Sequence, residues 1–390
     1  MSQQILVINA GSSSIKFAVY AAGAPLRRTV QGMVSGIGGK AAFAAQDTGG
    51  AMTGTLPSAM PDHGSALAWL FDWLEAGPHA RHLQAAGHRV VHGGEHHSAP
   101  VVIDDRNLNE LAALAPLAPL HQLHNLAAIR ALRALRPDLV QVACFDTAFH
   151  RTQPAVAQAL ALPPALTAGG LRRYGFHGLS YEFVAGALPD LLGEQANGRI
   201  IAAHLGNGAS LCAMLDRKSV ATTMGFSTLD GLVMGTRSGS MDPGVLLYLL
   251  QQQHMTPDEI EDLLYRRSGL LGVSGISNDM RILLDSQAPR AREAIDLFVY
   301  RIVREIGSLA AALGGIDALV FTGGIGEHAP IIRAMVCAQL RWLGLELDAE
   351  ANLRNASHIA TPASAVRACI VQTDEESVIA QHAARRLAAD

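Results

Sequence analysis

Two short apolar runs open the chain, residues 5–8 (ILVI) and 15–20 (IKFAVY), the second broken only by Lys16. Between them lies the polar turn Asn9-Ala10-Gly11-Ser12-Ser13-Ser14. Strand, Gly/Ser turn, strand predicts a hairpin. Half a chain later the unit returns, with apolar runs at 200–205 and 211–215 around Gly206-Asn207-Gly208-Ala209-Ser210. Between and beyond these units the period changes. Residues 63–76 carry apolar positions at helical spacing and stop at Gly77-Pro78, and 107–118 and 125–136 read the same way, the latter stopped by Pro137. Residues 291–313 predict a long amphipathic helix with the stripe Ile295, Phe298, Val299, Ile302, Ile306 and Leu309, ended by Gly314-Gly315. Strands are predicted at 88–92, at 139–145 (a near-continuous apolar run delivering Asp146-Thr147) and at 318–321, before Thr322-Gly323-Gly324-Ile325-Gly326-Glu327. Residues 21–62 predict short strands and loops, and a final helix at 375–388 is expected to pack back on the first domain. Pro154, Pro163, Pro164 and Gly169-Gly170 make 151–170 the expected domain boundary. The repetition predicts an α/β fold of two related halves.

Length and composition sharpen this. A chain of 390 residues, 49% hydrophobic and 16% charged, suits two domains with ample cores and excludes global disorder. A net charge of −4 with scattered Lys and Arg argues against a nucleic-acid face. Cys144, Cys212, Cys337 and Cys369 form no C-x-x-C pair, which fits buried free thiols in a reducing compartment. Strand-like sequence from Ile5 leaves no room for a signal peptide, and no apolar run reaches 18 residues. A cytoplasmic protein without membrane or nucleic-acid partners is expected.

Candidate chemistry gathers at three glycine turns, 9–14, 206–210 and 322–327. Gly11 permits close backbone approach, three hydroxyls and the backbone amides can donate to phosphate oxygens, Lys16 adds charge, and Asn9 offers a carbonyl oxygen to a hard cation. This is not a P-loop: the G-x-x-x-x-G-K-[ST] spacing is absent and a strand follows. Three such turns at strand ends point to a nucleotide in an interdomain cleft. Arg89 before Gly93-Gly94, and Arg237 within Met234-Gly235-Thr236-Arg237-Ser238-Gly239, read either as anion clamps or as structural ion pairs. His88, His92, His96 and His97 resemble a metal cluster, but Gly93-Gly94 breaks any helix that would align them and no thiolate joins them. His177, in Arg172-Arg173-Tyr174-Gly175-Phe176-His177-Gly178, reads as a site residue or a core histidine. Asp146 and Glu375 read as ligands of Mg²⁺ or its waters, with the bland alternative of a strand-end acid and a first-turn helix acid.

These motifs, taken together and in order along the whole chain, resemble the acetate kinase family: N-A-G-S-S-S-I-K-F, H-R-V-V-H-G-G, F-D-T-A-F-H, R-R-Y-G-F-H-G, H-L-G-N-G, M-G-T-R-S-G, N-D-M-R, F-T-G-G-I-G-E and T-D-E-E. The resemblance implies two ribonuclease-H-like (actin-like ATPase) domains around an interdomain nucleotide cleft. The first would comprise 1–150 plus 375–390. The second, 151–374, would bind nucleotide and join a homodimer. It implies reversible, direct in-line, Mg²⁺-dependent transfer (Mn²⁺ also serving) of the ATP γ-phosphoryl group to acetate, giving acetyl phosphate and ADP. By motif, Asn9 and Glu375 would bind the metal with Asp146 close by, and Ser12, Ser14 and Lys16 would face the phosphates. His204, Leu205, Gly206, Asn207, Gly208, Asp279, Met280, Arg281, Gly324, Ile325, Gly326 and Glu327 would hold ATP. Arg89, His177 and Arg237, with Asp146, would be catalytic, and Arg89, Val91, Leu120 and Phe176 would receive the acyl group. The chain departs from the family pattern at Gln122-Leu123-His124-Asn125, at Leu179 and Tyr181 after His177, at Thr228 and at His328. The remaining readings are the same chemistry with propionate or butyrate preferred, an actin- or chaperone-like ATP switch, and a His-rich metal-binding protein.

Overall fold

The computed structural model describes residues 3–388 apart from 24, 58, 78, 80, 81 and 120. Those residues form two compact units, one ending at Ala148 and resuming at Asp374, the other Phe149–Thr373.

In the first unit β1 (Gln4–Ala10) and β2 (Ser14–Ala21) form the expected hairpin, in the register Ile8↔Phe17 and Asn9↔Lys16. β3 (Arg27–Ser35), β4 (Ala42–Asp47) and β5 (Gly50–Met52) continue it as an antiparallel meander. On the other side of β1, β6 (Leu83–Val90) and β8 (Val140–Phe145) run parallel to it, and β7 (Val101–Val102) pairs antiparallel with β8. The sheet order is β5-β4-β3-β2-β1-β6-β8-β7. Leu6, Ile8, Phe17 and Val19 pack with Leu67, Leu70 and Leu74 of helix His63–Ala76. That helix ends where Gly77 predicts, whereas Pro78 lies outside the described residues. Helix Glu375–Leu387 returns to this unit, burying Val378, Ile379, Ala380 and Ala383 against β6, β1 and β8.

In the second unit β9 (Ile200–Leu205), β10 (Ala209–Leu215) and β11 (Lys218–Thr222) repeat the antiparallel meander. β12 (Ala318–Thr322) and β13 (Arg367–Ile370) add the two parallel strands, in the order β11-β10-β9-β12-β13. The pattern matches β3-β2-β1-β6-β8 strand for strand. The long helix spans Pro289–Leu313 with the predicted stripe buried and Gly314 in the left-handed region at its end.

Two expectations shift for physical reasons. The helix expected at 107–118 is Asp105–Ala113, because Asp104 and Asn107 form a capping box, and Pro116 starts a separate 3₁₀ turn at Ala115–Leu117. The strand expected at 88–92 begins at Leu83, because small, non-branched Ala85, Ala86 and Gly87 give no strand signal yet pair with β1. The proline-rich segment 151–170, where the domain boundary is expected, opens the second unit, which begins at Phe149. His150 anchors its start, bonding Ser219 Oγ at 2.9 Å and the Phe176 carbonyl at 2.8 Å.

Buried histidines carry a pH consequence. Burial pushes His88, His92 and His150 down to about 4. They are neutral in the fold and bind protons when it opens, so stability is lost as pH falls from the unfolded value near 6.5 toward 4. Each contributes up to about 1.4 kcal/mol per pH unit. Thermal unfolding between pH 7.5 and 5 will show Tm falling with acid, and His150→Asn will flatten the slope for the second unit. A Tm independent of pH across this window would contradict the assignment.

Candidate active site

The turn after β1 is braced from beneath. Gly11 N–H donates to Ser14 O at 2.8 Å, and His63 Nε2 bonds Gly11 O at 2.6 Å. Asn125 ties the turn to the end of β6, donating to Ala10 O at 2.7 Å and accepting from Val91 N–H at 3.0 Å. Gln122, fully buried, brackets His92 by accepting from its amide and donating to its carbonyl. Two of the departures from the family pattern, Gln122 and Asn125, are therefore backbone braces. Ser12 and Lys16 remain exposed at the rim.

Behind the turn four site candidates converge. Arg89 Nε donates to both oxygens of Asp146 at 3.0 Å and Nη2 donates to Oδ2. Nη1 donates to Asn9 Oδ1 at 3.3 Å, and Glu375 Oε2 lies 4.0 Å from Nε. Asp146 is only 1% exposed, so this pair is shielded from solvent on the acid side. Burial opposes the charge on Arg89, but Asp146 and Glu375 outweigh it and hold the guanidinium protonated. Burial pushes Glu375 up to about 7; Arg89 lowers it, while Asp146 and Glu376 raise it further. The site thus holds three carboxylates against Arg89 and Lys16. One carboxamide and two carboxylate oxygens converging beside excess negative charge form a hard donor set of the kind Mg²⁺ takes. The histidines at 88–97 build nothing comparable: among the described residues no group of three or more His, Cys, Asp or Glu is placed to hold a metal ion. Val91 is buried, and Leu120 lies outside the described residues.

The second unit carries the remaining candidates. His177 caps helix Gly178–Leu192 with φ 60°, an uncommon left-handed position for a non-glycine residue that marks a constrained site. Its ring stacks on His204 with centroids 4.3 Å apart. A Cβ at Gly208 would lie 3.1 Å from His177 Nε2 and 3.8 Å from Arg237 Nη1, so both side chains reach the glycine turn after β9. Arg237 Nη1 also donates to the Thr228 carbonyl at 3.3 Å. Because the backbone of Thr228 makes that contact, the departure at this position leaves it intact. Gly269, at φ +63°, lets helix Gly269–Ser274 sit against the loop: a Cβ there would meet Met234 O at 2.2 Å and Arg237 O at 2.7 Å. Phe176 is buried.

Next to the turn is a cavity of about 880 Å³, lined by Gly206, Asn207, Asp279, Met280, Arg281, Gly324 and Ile325. These come from three separate motifs. Asn278, the first residue of N-D-M-R, and His328, a departure from the family pattern, also line it, together with Leu284 and Ile331, which carried no sequence signal. Glu327 turns elsewhere: its Oε1 accepts from Gly323 N–H at 2.8 Å and Thr373 N–H at 3.1 Å, and so pins the start of helix Gly323–His328. The carbonyls of Gly326 and Glu327 accept from Arg333, whose fully buried guanidinium is also bonded by Asn352 and Asn355. Leu205 is fully buried in β9.

With this geometry in place, the comparisons with known proteins converge. The Acetokinase family model matches residues 4–381. An acetate kinase of Rhodopseudomonas palustris (strain TIE-1) is 55% identical over 391 residues, covering 98% of each chain. The solved propionate kinase of Francisella tularensis superposes with a TM-score of 0.93 at 36% identity, covering 98% of this chain and 99% of that one. The Porphyromonas gingivalis acetate kinase gives 0.90 at 36% identity, covering 99% and 100%.

Proposed function

Since the chain belongs to the acetokinase family, we propose that its two groups of site residues carry the family reaction as follows. The enzyme transfers the γ-phosphoryl group of ATP to acetate, reversibly, giving acetyl phosphate and ADP. Its fold is the actin-like ATPase α/β fold. The observation that supports the residue roles is the commitment of Asp146 to Arg89 by three hydrogen bonds. An alcohol acceptor would need a base. A carboxylate acceptor, with a pKa of about 4 to 5, is already ionised at neutral pH and needs none. The obstacle is bringing two anions together and stabilising charge on the in-line phosphoryl group.

Cationic and neutral hydrogen-bond donors answer that obstacle. Arg237 and His177 donate to the phosphoryl oxygens, Arg89 to the acetate carboxylate, and Lys16 with the Ser12 and Ser14 hydroxyls to the phosphates. The cavity beside Gly206 and Asn207 holds the nucleoside, with Asp279, Met280, Arg281, Gly324 and Ile325 as its walls, while Glu327 and Gly326 fix the helix that forms one of them. Val91 and Phe176 supply apolar surface for the acyl methyl. Asn9, Asp146 and Glu375 would hold Mg²⁺, which when bound neutralises phosphate charge. Asp146 positions rather than abstracts a proton. Isothermal titration of MgADP tests the nucleotide assignment: Asn207→Leu will weaken binding at least tenfold, and unchanged affinity would contradict it.

The same reading places the enzyme in the cytoplasm as a homodimer joined through the second unit. Four buried free cysteines support a reducing compartment, and among the described residues no helix is long and apolar enough to cross a membrane. Helix Pro243–Gln251 exposes Val245, Leu247, Tyr248 and Leu250, the kind of surface a partner copy covers. Sedimentation at micromolar concentration will give a species of twice the 41.1 kDa chain mass, shifted to monomer by Leu247→Glu. A monomer for the native chain would contradict the proposal.

A further inference from the structure

Tyr181 stands where the family pattern has a histidine, and the structure gives it a task. It is fully buried, and its hydroxyl lies 2.5 Å from Ser210 Oγ, which in turn lies 2.8 Å from His177 Nδ1. The direction of these bonds follows from counting hydrogens. Tyr181 has one buried O–H, which must find an acceptor, and the hydroxyl that faces it is Ser210 Oγ, so the Tyr181 O–H points at Ser210. Ser210 accepts it and turns its own hydrogen to His177 Nδ1. Nδ1 is then an acceptor, and the neutral ring carries its proton on Nε2, the atom that faces Gly208. Protonating Nδ1 would force Ser210 to accept twice and find another acceptor for its own hydrogen.

We propose that Tyr181, acting through Ser210, is a positioning residue that holds His177 as the neutral Nε2–H tautomer and fixes its ring toward the glycine turn. Its part in catalysis rests on the phosphoryl-donor role given to His177 above, but the tautomer itself does not.

The surroundings agree. His204 stacks on His177 at 4.3 Å, and its Nδ1 is bonded by Ser180 Oγ at 2.8 Å, so consecutive residues of one helix serve both rings, one directly and one through Ser210. Arg237 reaches the same turn. His150 packs edge-on to Tyr181 with centroids 5.5 Å apart and is itself held by Ser219 and Phe176. Burial raises the Tyr181 phenol well above its ordinary value, so it stays a donor throughout the working range.

The test is ¹⁵N-detected NMR of the histidine rings in the ligand-free protein, with His177 assigned by comparison with His177→Asn. The native chain will show His177 protonated at Nε2 and unprotonated at Nδ1. Tyr181→Phe will mix the tautomers of His177, and will lower kcat on the order of tenfold while KM for MgATP and acetate changes little. Ser210→Ala will do the same and serves if the buried tyrosine variant does not fold. An Nδ1–H tautomer in the native chain, or a variant whose tautomer equals the native one, would overturn the proposal. Because the NMR readout is independent of turnover, it stands or falls separately from the assigned substrate.

Discussion

Arg237→Ala will lower kcat by on the order of 10³ or more, with the fold and Tm unchanged. The argument begins with the loop. Met234 to Gly239 is built of small residues, held by Gly269 in a conformation no other residue adopts without strain, and it presents one guanidinium. Arg237 donates to the Thr228 carbonyl and the Met234 sulfur, and its guanidinium reaches the glycine turn after β9. A guanidinium there can donate to a phosphoryl group whose oxygens gain charge in the transition state, as an arginine finger does. Arg237→Lys will recover only a small part, since an ammonium cannot match two oxygens at once. A loss under tenfold for the alanine variant would refute the clamp.

The second large effect is expected at Asp146. Asp146→Asn will reduce kcat/KM on the order of 10² to 10³ and raise the Mg²⁺ concentration needed for half-maximal rate. The substitution keeps the shape of the side chain but places an amide against the Arg89 Nε and Nη2 donors. It also removes one of the hard oxygens proposed to hold Mg²⁺ or its waters and frees Arg89 to swing toward Glu375, 4.0 Å away. The pKa logic has a sign. Asp146 is one of the groups raising Glu375, so its loss lets Glu375 ionise at lower pH and take over the guanidinium. The variant will consequently fold with a Tm close to native while failing in catalysis. Activity within fivefold of native would contradict the role given to this acid.

What the sequence discloses and conceals follows from locality. The two hairpins at Gln4–Ala21 and Ile200–Leu215 were legible because each is an apolar run, a glycine turn and a second run within about twenty residues. Helix Pro289–Leu313 was legible from its stripe. The start of β6 was not, because Ala85, Ala86 and Gly87 are strand only by virtue of their neighbours. Arg89 and Asp146 each suggested chemistry, yet their pairing spans 57 residues and exists only once β6 and β8 lie side by side. Glu327 sat in a nucleotide-like motif, but its carboxylate is used to fasten a helix. Tyr181 looked like a mere departure, and its meaning depends on Ser210, 29 residues away on β10. Short-range pattern found the elements. Partnerships between elements had to be seen.

The most direct test of the account is acyl phosphate formation from MgATP, trapped with hydroxylamine, with kcat/KM compared for acetate, propionate and butyrate. The account expects acetate to give the highest value. The margin over propionate should be about tenfold or more, since one methylene is worth about 1 to 3 kcal/mol. No acyl phosphate from any of the three acids, in a protein that still binds MgATP, would contradict it.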